Sequence, residues 1–132
     1  MDLHPFRRAV EARDLDGLAA LLAPDVVFHS PVTFKPYVGR EDVRALLGIV
    51  MSVFEDFIYT DELTADGVEA LIFRARVGDR RVEGIDILRF DQQGLIADFT
   101  VMVRPMSGVH ALAEAVGAGL AAIGVNTAPS EG

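Results

Sequence analysis

The sequence contains no cysteine among its 132 residues. This absence excludes a disulfide framework, thiolate chemistry and cysteine-based metal sites, and it is compatible with a reducing cytoplasm. The three histidines, His4, His29 and His110, form no metal-binding pattern, because no pair has the i, i+4 spacing of a helix and no carboxylate is grouped with them. A glycine-rich phosphate loop is also missing. The sequence therefore predicts neither a bound metal nor a cofactor.

Positive charge is scarce as well, and long hydrophobic runs are absent. The net charge is −8, and the basic residues are scattered in ones and twos, which argues against a nucleic-acid-binding surface. The most apolar stretch, residues 109–125, contains His110 and Glu114 and is too short to span a bilayer. The N-terminal MDLHPFRRAVEARD is charged throughout, unlike a signal peptide. We therefore expect a cytoplasmic protein without nucleic-acid or membrane partners.

The spacing of the apolar residues predicts one domain of helices and strands. Helices are predicted over 5–22, with an interruption and a candidate N-cap at Asp14, over 39–54 and over 108–123. Pro24 and Asp25 are predicted to end the first of these segments. Strands are predicted over 26–30, 57–65, 68–78, 81–91 and 95–105, with a loop over 31–39. This order is typical of the α+β class, in which helices cover one face of a largely antiparallel sheet. A strongly curved sheet would leave a cone-shaped space beneath it.

The strand VEGIDILRF, residues 82–90, contains Asp86 among apolar residues, where aspartate is uncommon. Alternation gives the neighbouring strands apolar inward faces, which predicts an apolar chamber. Its predicted walls are Phe73, Leu88, Phe90, Phe99 and Val101. If Asp86 faces this chamber, desolvation raises the pKa of its carboxyl and makes it a hydrogen-bond donor. If Asp86 faces outward, it meets solvent or pairs with Arg74 or Arg76.

Four segments resemble the nuclear transport factor two-like superfamily, in its SnoaL-like and ketosteroid isomerase-like branch. They are LLAPDVVFHSP (21–31), VGREDVRALL (38–47), GIDILRFDQQG (84–94) and LIADFTVMV (95–103). The resemblance implies a single SnoaL-like domain over 1–125, followed by a disordered tail at 126–132. It also implies a cone-shaped, curved antiparallel sheet wrapped around N-terminal helices, the cystatin-like α+β barrel. This fold hosts isomerases, cyclases, dehydratases, hydrolases and binding proteins, so it does not define an activity.

Ketosteroid isomerase is the most informative comparison within this branch. By resemblance, Asp86 corresponds to that enzyme's neutral, hydrogen-bonding aspartate, in a matching I-D-x-x-R-F context. Ser30 stands at the position of the general-base aspartate, and Phe6 at the position of the oxyanion tyrosine. Losing a positioned base costs about 10²–10⁴-fold in rate, and losing an oxyanion donor costs a further factor of about 10²–10³. The sequence therefore argues against steroid isomerisation by that mechanism.

Four other side chains are candidates for chemistry in the chamber. His29 neighbours Ser30, so a regular strand sends His29 to the opposite face, whereas a bulge before Pro31 would reverse this. Asp98 resembles the position of an acidic residue in SnoaL-like cyclases, but its alternation with Phe99 predicts that it points away. Tyr37 is either a hydroxyl at the chamber mouth or a surface aromatic. The direction of Tyr59 depends on the strand register.

The last predicted helix, residues 108–123, is rich in small residues and apolar on most of its circumference, so it needs a cover. Three covers are open to this helix: its own sheet, the mouth of the cone, which it would plug, and a partner subunit on which it would dock. Relatives commonly dimerise through the outer sheet face, so the resemblance implies a homodimer. The predicted outward row of Ile72, Ile85, Ile87 and Met102 fits such an interface.

The sequence thus predicts a SnoaL-like protein that binds a small apolar or aromatic molecule in its chamber, with a cyclase-, dehydratase- or isomerase-like activity left open. The predicted catalytic residues are Asp86 and His29. The predicted ligand-binding residues are Phe6, Phe28, Ser30, Tyr37, Phe54, Phe73, Leu88, Phe90, Phe99 and Val101. The alternative is a non-catalytic, dimeric interaction module whose chamber is filled by its own side chains.

Overall fold

A curved sheet of six strands forms the frame of the protein. The structure is a computed structural model that describes residues 5–123, so the predicted tail at 126–132 lies outside the described residues. The helices are α1 (Pro5–Glu11), α2 (Leu15–Ala20), α3 (Arg40–Val53) and α4 (Met106–Ala122). The strands are β1 (Leu22–His29), β2 (Tyr37–Val38), β3 (Glu55–Ala65), β4 (Val68–Val77), β5 (Arg80–Phe90) and β6 (Ile96–Arg104).

The strand order across the sheet is β2-β1-β6-β5-β4-β3. Strands β3 to β6 form an antiparallel meander, with hairpins between consecutive strands. Strand β1 lies parallel to β6, which makes the sheet mixed, and β2 pairs antiparallel with β1. Helices α3 and α4 pack against this sheet and against each other. The α+β class and the cone-shaped fold are therefore confirmed.

Local chemistry explains where the first helices begin and end. Asp14 is the N-cap of α2, as predicted, because its carboxylate accepts a hydrogen bond from the backbone N–H of Gly17 at 2.9 Å. Helix α3 carries Glu41 and Asp42 in its first turn, where carboxylates favour the positive end of the helix dipole. Its buried residues are Val43, Leu46 and Leu47. This apolar stripe faces the core that the sheet encloses.

The first strand and the loop after it differ from the prediction. Strand β1 begins at Leu22 instead of residue 26, because Pro24 and Asp25 lie in an irregularity of its pairing with β6 rather than ending a helix. The loop predicted over 31–39 contains the short strand β2, which pairs through Phe28↔Tyr37. A strand of two residues has too few positions for an alternating pattern, so the sequence gives no signal for it.

Helix α4 packs closely on its own domain. A Cβ atom on Gly119 would lie 2.6 Å from Cγ2 of Ile49, and one on Gly108 would lie 2.4 Å from Cγ1 of Val82. These two glycines therefore let α4 approach α3 and β5. Helix α4 packs on its own sheet, and Leu112, Val116 and Leu120 of the same helix also line the cavity enclosed by the sheet, whereas its docking on a partner subunit stays a prediction. No helix within residues 5–123 has the length and apolar character needed to cross a bilayer.

Candidate functional site

Asp86 faces the interior of the cone from the middle of β5. Its side chain belongs to the inward set of that strand, together with the buried residues Gly84 and Leu88. Across the sheet Asp86 lies beside Leu71 on β4 and Val101 on β6. Only 6% of the residue is exposed, and aspartate is almost never so buried without a partner. Arg74 and Arg76 are not that partner, because they pair with Glu83 and with Glu55 and Asp56.

The partner of Asp86 is Tyr59 on β3. The Tyr59 hydroxyl donates a hydrogen bond to Oδ2 of Asp86, with an oxygen–oxygen distance of 2.9 Å, and the tyrosine is also buried. Strand β3 shifts its register on both sides of this position, between Glu55 and Ile58 and again after Tyr59. These irregularities determine which face the tyrosine occupies. Simple alternation along the sequence could not predict them.

Burial gives this pair an unusual electrostatic state. Desolvation raises the pKa of the Asp86 carboxyl to about 7, while the hydrogen bond from Tyr59 acts in the opposite direction because it stabilises the carboxylate. Burial also raises the pKa of Tyr59 well above its ordinary value, and the negative charge of Asp86 adds to that effect. The phenol therefore stays protonated at neutral pH. The carboxyl of Asp86 is neutral and ionised in comparable proportions at that pH.

The pair lies in the wall of a cavity of about 430 Å³. This volume falls within the range of about 300–1,000 Å³ that is typical of small-molecule sites. The aromatic residues that line it are Phe6, Phe28, Tyr37, Phe54, Phe57, Tyr59, Phe73 and Phe99. Several of their rings touch, and the rings of Phe57 and Phe73 stack with centroids 4.9 Å apart. The remaining polar residues of the lining are Glu11, Arg13, Ser30, Thr33 and Asp86.

Most of the residues predicted to bind a ligand lie in this lining, together with Asp86. They are Phe6, Phe28, Ser30, Tyr37, Phe54, Phe73, Phe99 and Val101. The structure places Leu88 and Phe90 elsewhere. Leu88 is fully buried in the packed core beside Phe99, and Phe90 borders a separate shallow groove after an irregularity in the pairing of β5 with β6. The prediction that these two residues line the chamber was therefore wrong.

The structure does not bring His29 to Asp86. His29 Nε2 lies 2.9 Å from Oδ2 of Asp98, and Thr100 donates a hydrogen bond to the other oxygen of the same carboxylate. His29 and Thr100 border a shallow groove outside the chamber, whereas Ser30, the next residue, lies in the linings of both that groove and the chamber. Strand β1 is regular from Val27 to His29, so alternation sends the imidazole to the outer face. Asp98 points away from the chamber as predicted, and His29, which contacts it, also lies outside the chamber.

Sequence reasoning missed several residues of the lining. Phe57 lies two positions before Tyr59, and this i, i+2 spacing of aromatics within FIYT was the available signal. Glu11 and Arg13, near the end of α1, reach the lining through the folding of distant segments, for which the sequence carries no signal. The same holds for Val116 on α4. Within residues 5–123 no group of three or more metal-ligating side chains lies together.

The class of protein follows from this curved sheet, its enclosed chamber and the buried Asp86. The family model of the SnoaL-like domain matches residues 4–99, and the chain belongs to that family. No curated protein matches the chain.

Solved structures give more detailed comparisons. A steroid delta-isomerase from Pseudomonas aeruginosa is 48% identical, with a TM-score of 0.86 over 89% of this chain and 88% of that one. An uncharacterized bacterial protein with a cystatin-like fold from Silicibacter pomeroyi is 37% identical, with a TM-score of 0.83 over 86% and 81%. An NTF2-like protein of unknown function from Mesorhizobium loti is 19% identical, with a TM-score of 0.68 over 76% and 85%, a likeness of fold alone.

Proposed function

We propose that the protein binds a small apolar or aromatic molecule in its chamber and that Asp86 holds one polar group of that molecule. The observation that carries this proposal is the buried Tyr59–Asp86 pair in the wall of an otherwise largely apolar cavity of about 430 Å³. Such a cavity with a few convergent polar groups and a perturbed pKa is the usual form of a ligand site. An interaction module with a filled chamber would lack this space.

The chemistry of the pair defines the polar group that it binds. When Asp86 is neutral, its carboxyl accepts from Tyr59 and can donate its own proton to a ligand oxygen. A carbonyl group is a suitable acceptor. When Asp86 is ionised, the same position accepts a hydrogen bond from a hydroxyl group. Because the pKa of Asp86 is about 7, both modes are available near neutral pH.

This proposal is tested with two ligands of nearly the same shape, 2-acetylnaphthalene and 2-ethylnaphthalene, which differ in one carbonyl group. We expect the wild type to prefer the ketone, and Asp86→Leu to weaken ketone binding by about tenfold, since one hydrogen bond is worth about 1 kcal/mol or more. The hydrocarbon should bind both proteins within about twofold. Affinities are measured by NMR titration. If Asp86→Leu changed the affinities for the two ligands equally, Asp86 would not bind the carbonyl group and the proposal would be contradicted.

A matched variant shows whether binding occurs in the chamber at all. Val116 lines the cavity from α4, and Val116→Trp fills the space with an indole ring. Both naphthalenes should lose binding to this variant while its circular dichroism stays that of the wild type. Retained binding of both ligands would place their site elsewhere and contradict the proposal.

Catalysis of a proton transfer is the second candidate function, in an isomerase-, cyclase- or dehydratase-like reaction. The 48% identical relative described as a steroid delta-isomerase favours it. An acid–base group works best when its pKa is near the working pH, which Asp86 satisfies. In an isomerisation, the Asp86 carboxylate would remove a proton from a carbon next to a carbonyl group and return it to a more distant carbon. No external reactant is needed.

This second candidate is tested with androst-5-ene-3,17-dione, by following the absorbance of the conjugated ketone that forms. The wild type should convert the steroid, and Asp86→Asn, which has no ionisable group at this position, should lose the activity by at least about 10²-fold. A rate in Asp86→Asn equal to that of the wild type would contradict a role of Asp86 in the reaction. No conversion by the wild type would leave ligand binding as the function supported.

A further inference from the structure

In the described range, residues 5–123, one cationic side chain, Arg13, lies in the lining of the chamber. It is exposed, whereas Asp86 and most of the aromatic residues of the lining are buried, so Arg13 marks a place where the chamber meets solvent. Among residues 5–123 its guanidinium makes one hydrogen bond, to the backbone carbonyl of Met51 at 2.6 Å, and no ion pair. A guanidinium carries five N–H donors, so most of its capacity is not used by that bond.

The backbone of Arg13 is in a conformation that an arginine adopts at a cost. Helix α1 ends in a Schellman motif, in which Asp14 N–H bonds to the carbonyl of Ala9 and Arg13 N–H to that of Val10. Arg13 is the left-handed residue of this motif, with φ +55°, where glycine is usual. A side chain in this region costs roughly 1 kcal/mol or more. Such strain tends to occur at functional positions.

The surrounding charges determine how strongly the cation at Arg13 can attract an anionic ligand. The chain has a net charge of −8, which repels anions at long range. Glu11 also lines the chamber, but its carboxylate is held by Arg7 at 3.1 Å, which partly neutralises it. Arg13 thus supplies the uncompensated positive charge of the described lining. A guanidinium fits a carboxylate or sulfonate particularly well because it can form two parallel hydrogen bonds.

We infer that the ligand of this chamber is an amphipathic organic anion, whose apolar body lies among the aromatic rings and whose acidic group binds Arg13 at the opening. The inference rests on the proposed function, because it names the class of molecule that the chamber binds. The tether to the Met51 carbonyl fixes the position of the guanidinium between the ends of α1 and α3. Selection of anionic over neutral ligands is therefore a property of this one side chain.

The test uses two fluorescent probes with the same ring skeleton, 1-anilinonaphthalene-8-sulfonate and the neutral N-phenyl-1-naphthylamine. We expect the wild type to bind the sulfonate more tightly. Arg13→Gln should lower sulfonate affinity about three- to fivefold, as expected for a partly exposed ion pair, and change that of the neutral probe less than about twofold. The amide nitrogen of glutamine takes the position of Nε in arginine, so this variant removes the charge together with the terminal hydrogen bond to the Met51 carbonyl, and a variant that keeps the charge is needed beside it.

Two further variants separate charge from structure. Arg13→Lys keeps the charge and should retain most of the preference for the sulfonate. Arg80→Gln removes the same net charge from an exposed hairpin residue outside the lining, and should bind both probes like the wild type. If Arg13→Gln lowered only the melting temperature and left the ratio of the two affinities unchanged, Arg13 would be a helix tether and the inference would be wrong.

The outcomes also separate this inference from the proposed function. In one outcome, the wild type binds the neutral probe, Val116→Trp abolishes this binding, and the wild type shows no preference for the sulfonate. That outcome would overturn the role of Arg13 and leave the chamber as a ligand site. If Val116→Trp bound both probes as tightly as the wild type does, both proposals would be overturned.

Discussion

At the scale of single residues, the burial of Asp86 carries a structural cost. A carboxyl that is 6% exposed loses most of its hydration, and one hydrogen bond from Tyr59 replaces only part of it. A leucine of similar size would fill the same space at lower cost. The sequence nevertheless places an ionisable group there, between Ile85 and Ile87. A buried ionisable group in the wall of a cavity supports the proposal that the chamber binds a ligand.

This cost should be visible in the pH dependence of stability. Because the pKa of Asp86 rises from 3.8 in the unfolded chain to about 7 in the folded one, the folded protein binds more protons between these values. Stability should therefore fall as the pH rises from about 4 to about 7 and level off above it. At about 1.4 kcal/mol per pKa unit, the Asp86 contribution is on the order of 4 kcal/mol.

Asp86→Asn provides the matched comparison, since asparagine keeps an acceptor for Tyr59 and does not titrate. Urea unfolding is measured for both proteins at several pH values from 4 to 8. The free energy of unfolding of the variant, relative to the wild type, should increase with pH across this range. Other groups such as Glu69, whose pKa burial also raises, are present in both proteins and cancel. Parallel profiles would show that Asp86 has an ordinary pKa.

The sequence predicted single residues well where strands alternate regularly, and poorly where they do not. Phe73 and Phe99 lie on regular parts of β4 and β6, so period-two alternation gave their direction, whereas the mixed faces of β5 left both directions open for Asp86. Tyr59 lies between two register shifts, so alternation along the sequence could not predict its hydrogen bond to Asp86. Arg13 reaches the chamber because α1 ends beside α3, a contact between separate segments. Sequence spacing carries no information about such contacts.

At the scale of secondary-structure elements, strongly periodic segments were predicted closely. Helix α3, predicted over 39–54, is Arg40–Val53, and the hairpin strands differ from their predicted bounds by at most two residues. The failures lie around β1 and β2, where pairing with a distant strand decides the structure. Leu22 pairs with Ile96, far along the chain, so the local residues Pro24 and Asp25 misled the prediction. Tertiary pairing overrode local propensity there.

One glycine within β5 is required by close packing of the sheet. A Cβ atom on Gly84 would lie 2.3 Å from Cζ of Phe73 and 2.7 Å from the backbone oxygen of Met102. The phenyl ring therefore lies directly over the glycine, and this fixes its place in the chamber wall. Gly84→Ala should destabilise the protein by roughly 1–3 kcal/mol, as overpacking usually does. Thermal or urea unfolding measures the change.

Gly117→Ala on α4 is the matched control, since a Cβ atom there meets nothing within 4 Å. Alanine favours a helix interior over glycine by about 1 kcal/mol, so this variant should be as stable as the wild type or more so. If Gly84→Ala were equally well tolerated, the position of the Phe73 ring would not depend on the glycine.

At the scale of the whole molecule, the outer face of the sheet carries an apolar row on a strongly acidic protein. Ile72, Ile85 and Met102 are aligned across β4, β5 and β6, and Met102 is 56% exposed. Charged side chains border this row, since Glu83 pairs with Arg104 at 3.0 Å and with Arg74 at 3.5 Å. An apolar centre with a polar rim is the usual composition of a protein interface.

We therefore propose that two copies associate through this face, as the family resemblance implies. The wild type should elute as a dimer in size-exclusion chromatography with light scattering. Met102→Lys would place a like charge on both sides of a twofold interface and should shift the protein to the monomer. Met106→Lys, at the more exposed start of α4, makes the same chemical change away from the row and should remain dimeric. A wild-type monomer at all accessible concentrations would contradict the interface. Since Asp86 lies on the other side of the same sheet, a monomeric Met102→Lys should still bind 2-acetylnaphthalene, which would make ligand binding a property of each subunit.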